Sequence, residues 1–314
     1  IRDLVRSRGL GDVYKRQVIG FFEPALIELQ KSYARDLLTH RNPYTGTRYT
    51  EEPAVAFVEI HNENGLAHAF LAGDLDRLPA FFREELARRW NKWLTDRYHS
   101  TAKLAAAWKA QTLPPGNELL ANPDFHAGIS PWRIENHQGA RSEQAIVNEG
   151  PDGSPALRVT VTATGSEGWH VQINQGGLDL QDDTPYSLTF SARTDRPGPA
   201  RIEIGMAHDP WQNLGFSAPV ELSREWKRYT FSSLTLHGQD ANARLSFSGL
   251  GLETRTVWIT DVSFKKGGTV GLLPGERLES PDGIKLINRN GADGRTREAL
   301  RDWFLFLLDM EDAY

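Results

Sequence analysis

At 314 residues, with 39% hydrophobic and 25% charged side chains, the chain is long enough for two domains and too apolar for global disorder. A formal net charge of −5, with acidic and basic residues intermixed, gives no electrostatic footprint for nucleic acid or an anionic membrane surface, so neither is expected as a partner. The absence of Cys excludes disulfides, thiol catalysis and cysteine zinc sites, and fits a cytosolic or an exported bacterial protein.

The opening IRDLVRSRGLGDVYKRQ, residues 1–17, is basic and without periodicity, and it gives way abruptly to a patterned segment at Val18. From Arg8 to Gln17 it resembles a translated transposase-adapter sequence of the kind used in library preparation, and is expected to be a scar outside the fold; the other reading is a natural basic arm. No signal-peptide order is seen, and no run approaches the roughly 20 apolar residues of a membrane span. From Pro24 to Thr39, Leu26, Leu29, Tyr33 and Leu37 recur at helical spacing, and the loop from Arg41 to Gly46 ends that helix with turn chemistry. Ala54 to Ile60 is a short apolar run that suits a strand buried on both faces of a parallel sheet. Leu78, Phe82, Leu86, Trp90 and either Trp93 or Leu94 mark another helix, and a further helical patch runs from Leu104 to Trp108.

At Leu113-Pro114-Pro115-Gly116-Asn117 this pattern breaks, and from Asn122 the chain changes to short alternating segments divided by Gly, Pro, Asp and Asn. Strands are expected at residues 156–163, 169–175, 186–193, 200–207, 227–233, 243–248 and 256–265, enough for a jelly-roll sandwich. After Lys266-Gly267-Gly268 comes a turn-rich linker, and helical spacing returns from Thr296 with Leu300, Phe304 and Leu307. The chain is therefore expected to be multidomain: a partial (β/α)8 TIM barrel over 18–116, an inserted all-β jelly-roll sandwich over 117–266, and a return to the barrel over 267–314. The last helix shows no cap or breaker before Tyr314, which suggests a truncated protein.

The expected strand runs into Glu59-Ile60-His61-Asn62-Glu63-Asn64-Gly65, placing amide and carboxylate groups where barrel enzymes place their chemistry. Here the sequence resembles the clan A glycoside hydrolases, which present an Asn-Glu pair at the end of the fourth strand. The stretches Asn42-Pro43-Tyr44-Thr45-Gly46 and Glu52-Pro53-Ala54-Val55-Ala56 are similar to a cellulase-like subgroup of that clan. The resemblance implies that Glu63 serves as acid/base, that Asn62 holds the sugar hydroxyl beside the scissile bond, and that the nucleophile lies on a later strand absent from this sequence. A retaining enzyme needs its second carboxylate about 5–5.5 Å away. Glu59 is four strand residues from Glu63, about 13 Å at roughly 3.3 Å per residue, and so is an orienting group at most. The chain alone is then expected to be inactive. His61 shares a face with residues 59 and 63 and reads either as a sugar contact or as a structural histidine. No His-Glu-x-x-His spacing is present, so no catalytic metal is expected.

Leu119 to Phe125, Trp132, and the closing run Trp258 to Phe264 resemble carbohydrate-binding modules of the families four, nine and twenty-two. Alternation turns Tyr186, Leu188, Phe190, Ile202, Ile204, Met206, Leu245 and Phe247 inward. It leaves Arg193, Arg201, Glu203, Arg244 and Ser246 outward, with Arg193, Arg244 and Ser246 as a candidate binding face. Trp211, in the polar turn His208-Asp209-Pro210-Trp211-Gln212-Asn213, is the first choice for a sugar-stacking platform. Trp169 reads either as core or as a second platform near Gln172 and Asn174. Trp132, Trp226 and Trp258 are expected in the core. Asp124 and Asp261 are expected to share a structural calcium at most, and no cofactor is required. The function these readings imply is a fragment of a retaining glycoside hydrolase acting on a β-linked polysaccharide, secreted or periplasmic and monomeric. The alternative is a non-catalytic carbohydrate-binding or adhesion protein.

Overall fold

A computed structural model describes residues 18–59, 65–290 and 293–314. The described residues divide into two units, one lying within residues 18–101, 277–289 and 301–314, the other within 102–276 and 290–300.

In the first unit, helix α1 (Pro24–Thr39) begins where Glu23 accepts a hydrogen bond from Leu26 N at 2.7 Å and proline occupies the first turn, both favourable at a helix start. Its stripe does not face a core: Leu29, Tyr33 and Leu37 are exposed. After the short helix α2 (Leu66–Leu71), the long helix α3 (Ala80–Tyr98) buries Leu86, Trp90 and Leu94 completely. Trp90 meets Trp303 and Phe306 with ring centroids 5.1 Å away in both cases, edge-on to the former. Such aromatic contacts add about 0.5–1.5 kcal/mol each to simple area burial. Asn91 fastens the segment around Ile284 by donating to its carbonyl at 2.9 Å and accepting from its amide at 2.6 Å.

The barrel expectation is overturned here. Residues 55–59 form no strand, and Val55, Phe57 and Val58 are exposed instead of buried on two faces. Among the described residues, this unit contains no named strand, and every strand ladder of the chain is antiparallel, whereas a (β/α)8 barrel requires parallel ones. A short apolar run has no period of its own, so its composition never fixed a buried parallel environment.

The second unit opens with α4 (Thr101–Ala107) and β1 (Gln111–Leu113) and then builds two five-stranded antiparallel sheets. The first has the order β2-β5-β10-β7-β8, from strands Arg133–Asn136, Val171–Leu180, Asp240–Ser248, Gly198–Met206 and Asn213–Leu222. The second, β3-β4-β11-β6-β9, uses Arg141–Val147, Ala156–Ala163, Thr256–Lys266, Pro185–Thr194 and Lys227–Thr235. Their inner faces form one apolar cluster in which Leu188, Phe190, Ile202, Ile204, Phe216, Leu245 and Phe264 are fully buried, as alternation requires of a sandwich. Trp132 belongs to it, with rings of Phe125 and Phe247 at 5.5 and 6.3 Å. Strand β12 (Gly268–Val270) pairs with β1, and α5 (Arg297–Ala313) closes the chain.

Candidate ligand-binding face

The outer face of the β2-β5-β10-β7-β8 sheet is polar in register. Arg133, Asn174, Ser246, Glu203 and Ser217 are successive cross-strand partners from one edge of the sheet to the other. In the neighbouring row Glu135 pairs with Gln172 and Ser248 with Arg201. Gln172, Asn174, Ser246 and Ser248 point away from the apolar core yet are at most 6% exposed, so they form the recessed floor of this face. Two hydroxyls converge on one carboxylate, Ser248 and Ser217 donating to Glu203 at 2.7 and 3.1 Å, and Arg201 in turn donates to Ser217 Oγ at 2.9 Å. Hydrogen bonding fixes these rotamers before any ligand arrives, which lowers the ordering cost of binding.

Two exposed indoles bound this floor. Trp211 is 57% exposed in the β7–β8 turn, where its backbone is left-handed (φ 60°) and its amide donates to His208 O at 2.8 Å. Arg244, outward on β10 two residues from Ser246, lies 5.0 Å from the Trp211 ring centroid. That contact places Trp211 on the polar side of the sheet. Trp169 is 47% exposed in the helical turn Gly168–His170 just before β5, at the opposite end of the strands, with the His137 ring 5.4 Å away. Glu135 joins the two ends, accepting from Arg244 Nη1 at 3.3 Å and meeting His137 Nε2 at 3.4 Å. Burial works to raise the Glu135 carboxyl, but the nearby Asn174 amide, the charge of Arg244 and contact with His137 overcome it and hold the group below the usual carboxylate value. From Ser248 to Arg244 the floor runs four residues, about 13 Å at strand rise. An elongated polar floor ending in flat apolar faces has the chemistry of a sugar-chain site: hydroxyls need donors and acceptors along the chain, and pyranose faces need aromatic surfaces.

The sequence-predicted residues are thus redistributed. Trp211, Trp169, Gln172, Asn174, Arg244 and Ser246 come together on this face. Arg193 does not: it is on β6, on the outer side of the other sheet, with its guanidinium 4.0 Å from the Trp258 centroid and 5.5 Å from that of Trp226. Trp226 and Trp258 are half-buried there, not in the core as their apolar neighbours suggested, and the Arg193 guanidinium lies against both indoles. Asp124 and Asp261 are drawn together in chain position by the bond from Val262 N to Pro123 O at 3.0 Å. Among the described residues no group of three or more His, Asp or Glu is arranged to hold a metal. Glu63, Asn62 and His61 lie outside the described residues, and Glu59 is exposed. Sequence reading missed Glu135, Ser217 and Ser248 as site residues. Ser248 was available from its alternation with Ser246, whereas Ser217 was hidden with the whole of β8.

A polar sheet face ending in exposed indoles is a surface on which a sugar chain can be held, and this part of the chain is similar to known carbohydrate-binding domains. Residues 117–250 match the CBM4/9 family model, described as a carbohydrate binding domain, and this stretch is a domain of that kind. Among curated proteins, the cellulose 1,4-beta-cellobiosidase of Acetivibrio thermocellus is 29% identical over 106 residues, a match spanning 33% of this chain and 12% of that protein. Among solved structures, a CBM4 module is 26% identical, covering 46% of this chain and 98% of its own with a TM-score of 0.41. The N-terminal cellulose-binding domain of Cellulomonas fimi β-1,4-glucanase C is 18% identical, over 48% of this chain and 97% of that one, with a TM-score of 0.35.

Proposed function

We propose that the protein is a non-catalytic binder of a β-linked polysaccharide, with one glycan chain lying along the outer face of the β2-β5-β10-β7-β8 sheet. The observation that carries this reading is the buried polar floor of Gln172, Asn174, Ser246 and Ser248 between the exposed indoles of Trp169 and Trp211. Trp211 and Trp169 stack on sugar rings, while the floor amides and hydroxyls exchange hydrogen bonds with ring substituents. Arg244, already held against Trp211, gives direction to that end of the face. The match to the cellobiosidase makes a β-1,4-glucan the first candidate ligand, and a polysaccharide of that size is met outside the cytoplasm.

The test is calorimetric titration of the full chain with soluble glucan, xylan, mannan and galactan. One of them is expected to bind, and Trp211→Ala and Trp169→Ala are each expected to weaken it at least about tenfold, the loss of roughly 1.4 kcal/mol typical of a truncated aromatic anchor. Retention of the wild-type circular dichroism spectrum in each variant separates lost stacking from lost folding. If no glycan binds, the proposal fails. A hydrolytic function of a longer protein rests on Asn62-Glu63 and requires a second carboxylate near Glu63.

A further inference from the structure

The turn that presents Trp211 is held by a side chain whose two ring nitrogens both face acceptors. His208 Nδ1 is 2.8 Å from the carbonyl oxygen of Asp209, and its Nε2 is 2.9 Å from Asp240 Oδ2 at the start of β10. A carbonyl and an ionised carboxylate only accept, so both bonds exist together only when both nitrogens carry a proton, which is the imidazolium form. Asp240 is fixed independently of the histidine: its side chain is 10% exposed, and its other oxygen accepts from Asn242 N at 2.7 Å. Trp211 in turn hangs from His208, since the His208 carbonyl accepts its amide hydrogen bond at 2.8 Å.

We infer that His208 is a positioning residue for the glycan platform, its imidazolium latching the Trp211 turn to β10 through Asp240. This inference rests on the binding reading proposed above. The charged groups facing the imidazole are Asp209 from its own turn and Asp240 from β10; Arg244, also from β10, lies on the far side of this arrangement against the Trp211 ring. Both carboxylates favour the cation. The hydrogen bond to Asp209 O, then that to Asp240, raise the His208 pKa above the ordinary histidine value. A raised pKa means that the latch is complete at low pH and is lost as pH rises through the folded-state value. A neutral imidazole has one donor and one acceptor, so deprotonation sets a nitrogen lone pair against an oxygen and releases one end of the turn.

The experiment is calorimetry of the full chain with cellohexaose, and with the glycans of the panel, at steps from about pH 6 to about pH 9, the range in which a histidine with a raised pKa loses its proton. The His208 midpoint is read in parallel from its ring resonances by nitrogen-15 NMR. Affinity is expected to fall by about threefold to tenfold, the scale of one lost hydrogen bond, with its midpoint at the NMR value. His208→Ala is expected to bind weakly and without pH dependence over that range, and Asp240→Asn to move the NMR midpoint downwards. Wild-type affinity that stays flat through the NMR midpoint, or His208→Ala binding as tightly as wild type, overturns the latch and leaves the binding reading standing. Should no glycan bind, the binding reading fails instead. The latch is then judged by the Trp211 indole resonance, assigned with Trp211→Phe, whose relaxation must change at the His208 midpoint if the turn is released there.

Discussion

Arg295 and Glu276 meet as a two-pronged pair, Nη1 to Oε2 at 2.6 Å and Nη2 to Oε1 at 2.5 Å, with each side chain 2% exposed. Arg295 also donates to Gly271 O at 2.8 Å, and its guanidinium lies 5.6 Å from the Trp108 centroid. Removing one member of so deeply placed a pair takes the opposite charge from the other in a desolvated site, at a cost of about 3–5 kcal/mol. Glu276→Ala is accordingly expected to lower the unfolding free energy by that amount, read from the denaturant midpoint at constant slope, without changing glycan affinity; a variant within about 0.5 kcal/mol of wild type would show that water reaches Arg295. Nothing in the sequence singled out this pair, because a salt bridge 19 residues long in sequence separation carries no periodic or spacing signal. Trp211 was legible for the opposite reason. Its neighbours are all polar or turn-forming, and an indole in such a stretch has no apolar partner to bury against.

Strand β8 explains most of what the sequence concealed about the face. Leu214, Phe216, Ala218, Val220 and Leu222 alternate inward along it, but Gly215 and Pro219 interrupt the pattern and argue against a central strand. The sheet order resolves the conflict: β8 is an edge, where proline need not donate to a second neighbour. The strand Ala156–Ala163, which has no such break, was bounded to the residue, whereas the other legible strands were placed with ends that differ by up to five residues. Phe216 is fully buried, edge-on to Phe231 with centroids 5.4 Å apart. Phe216→Ala is expected to destabilise the protein by about 3–5 kcal/mol through the cavity it leaves, read as a shift of the urea midpoint at constant slope. A shift below about 1 kcal/mol would mean that this edge strand contributes little to the core.

At the scale of the whole molecule, one half of the sequence announced its fold and the other did not, and the difference is one of periodicity. Two-residue alternation repeated over many strands specifies which side of each strand is buried, and Leu188, Ile202, Ile204 and Leu245 lie where it puts them. The helical stripe of α1 specifies a helix but not what it faces: Leu29, Tyr33 and Leu37 are exposed, as is the apolar run at Val55, Phe57 and Val58. Helix, apolar run and helix thus supported a barrel only by analogy. Function follows the half with structural support. The proposed glycan binding uses the sandwich face and asks nothing of Asn62-Glu63, so Glu63→Gln is expected to leave both the calorimetric isotherm and its pH profile unchanged. The wild-type chain is also expected to release no reducing ends from the glycan it binds. Hydrolysis that disappears in Glu63→Gln would make Glu63 a catalytic residue and the sandwich its accessory, reversing the order of functions argued from the Trp169 and Trp211 face.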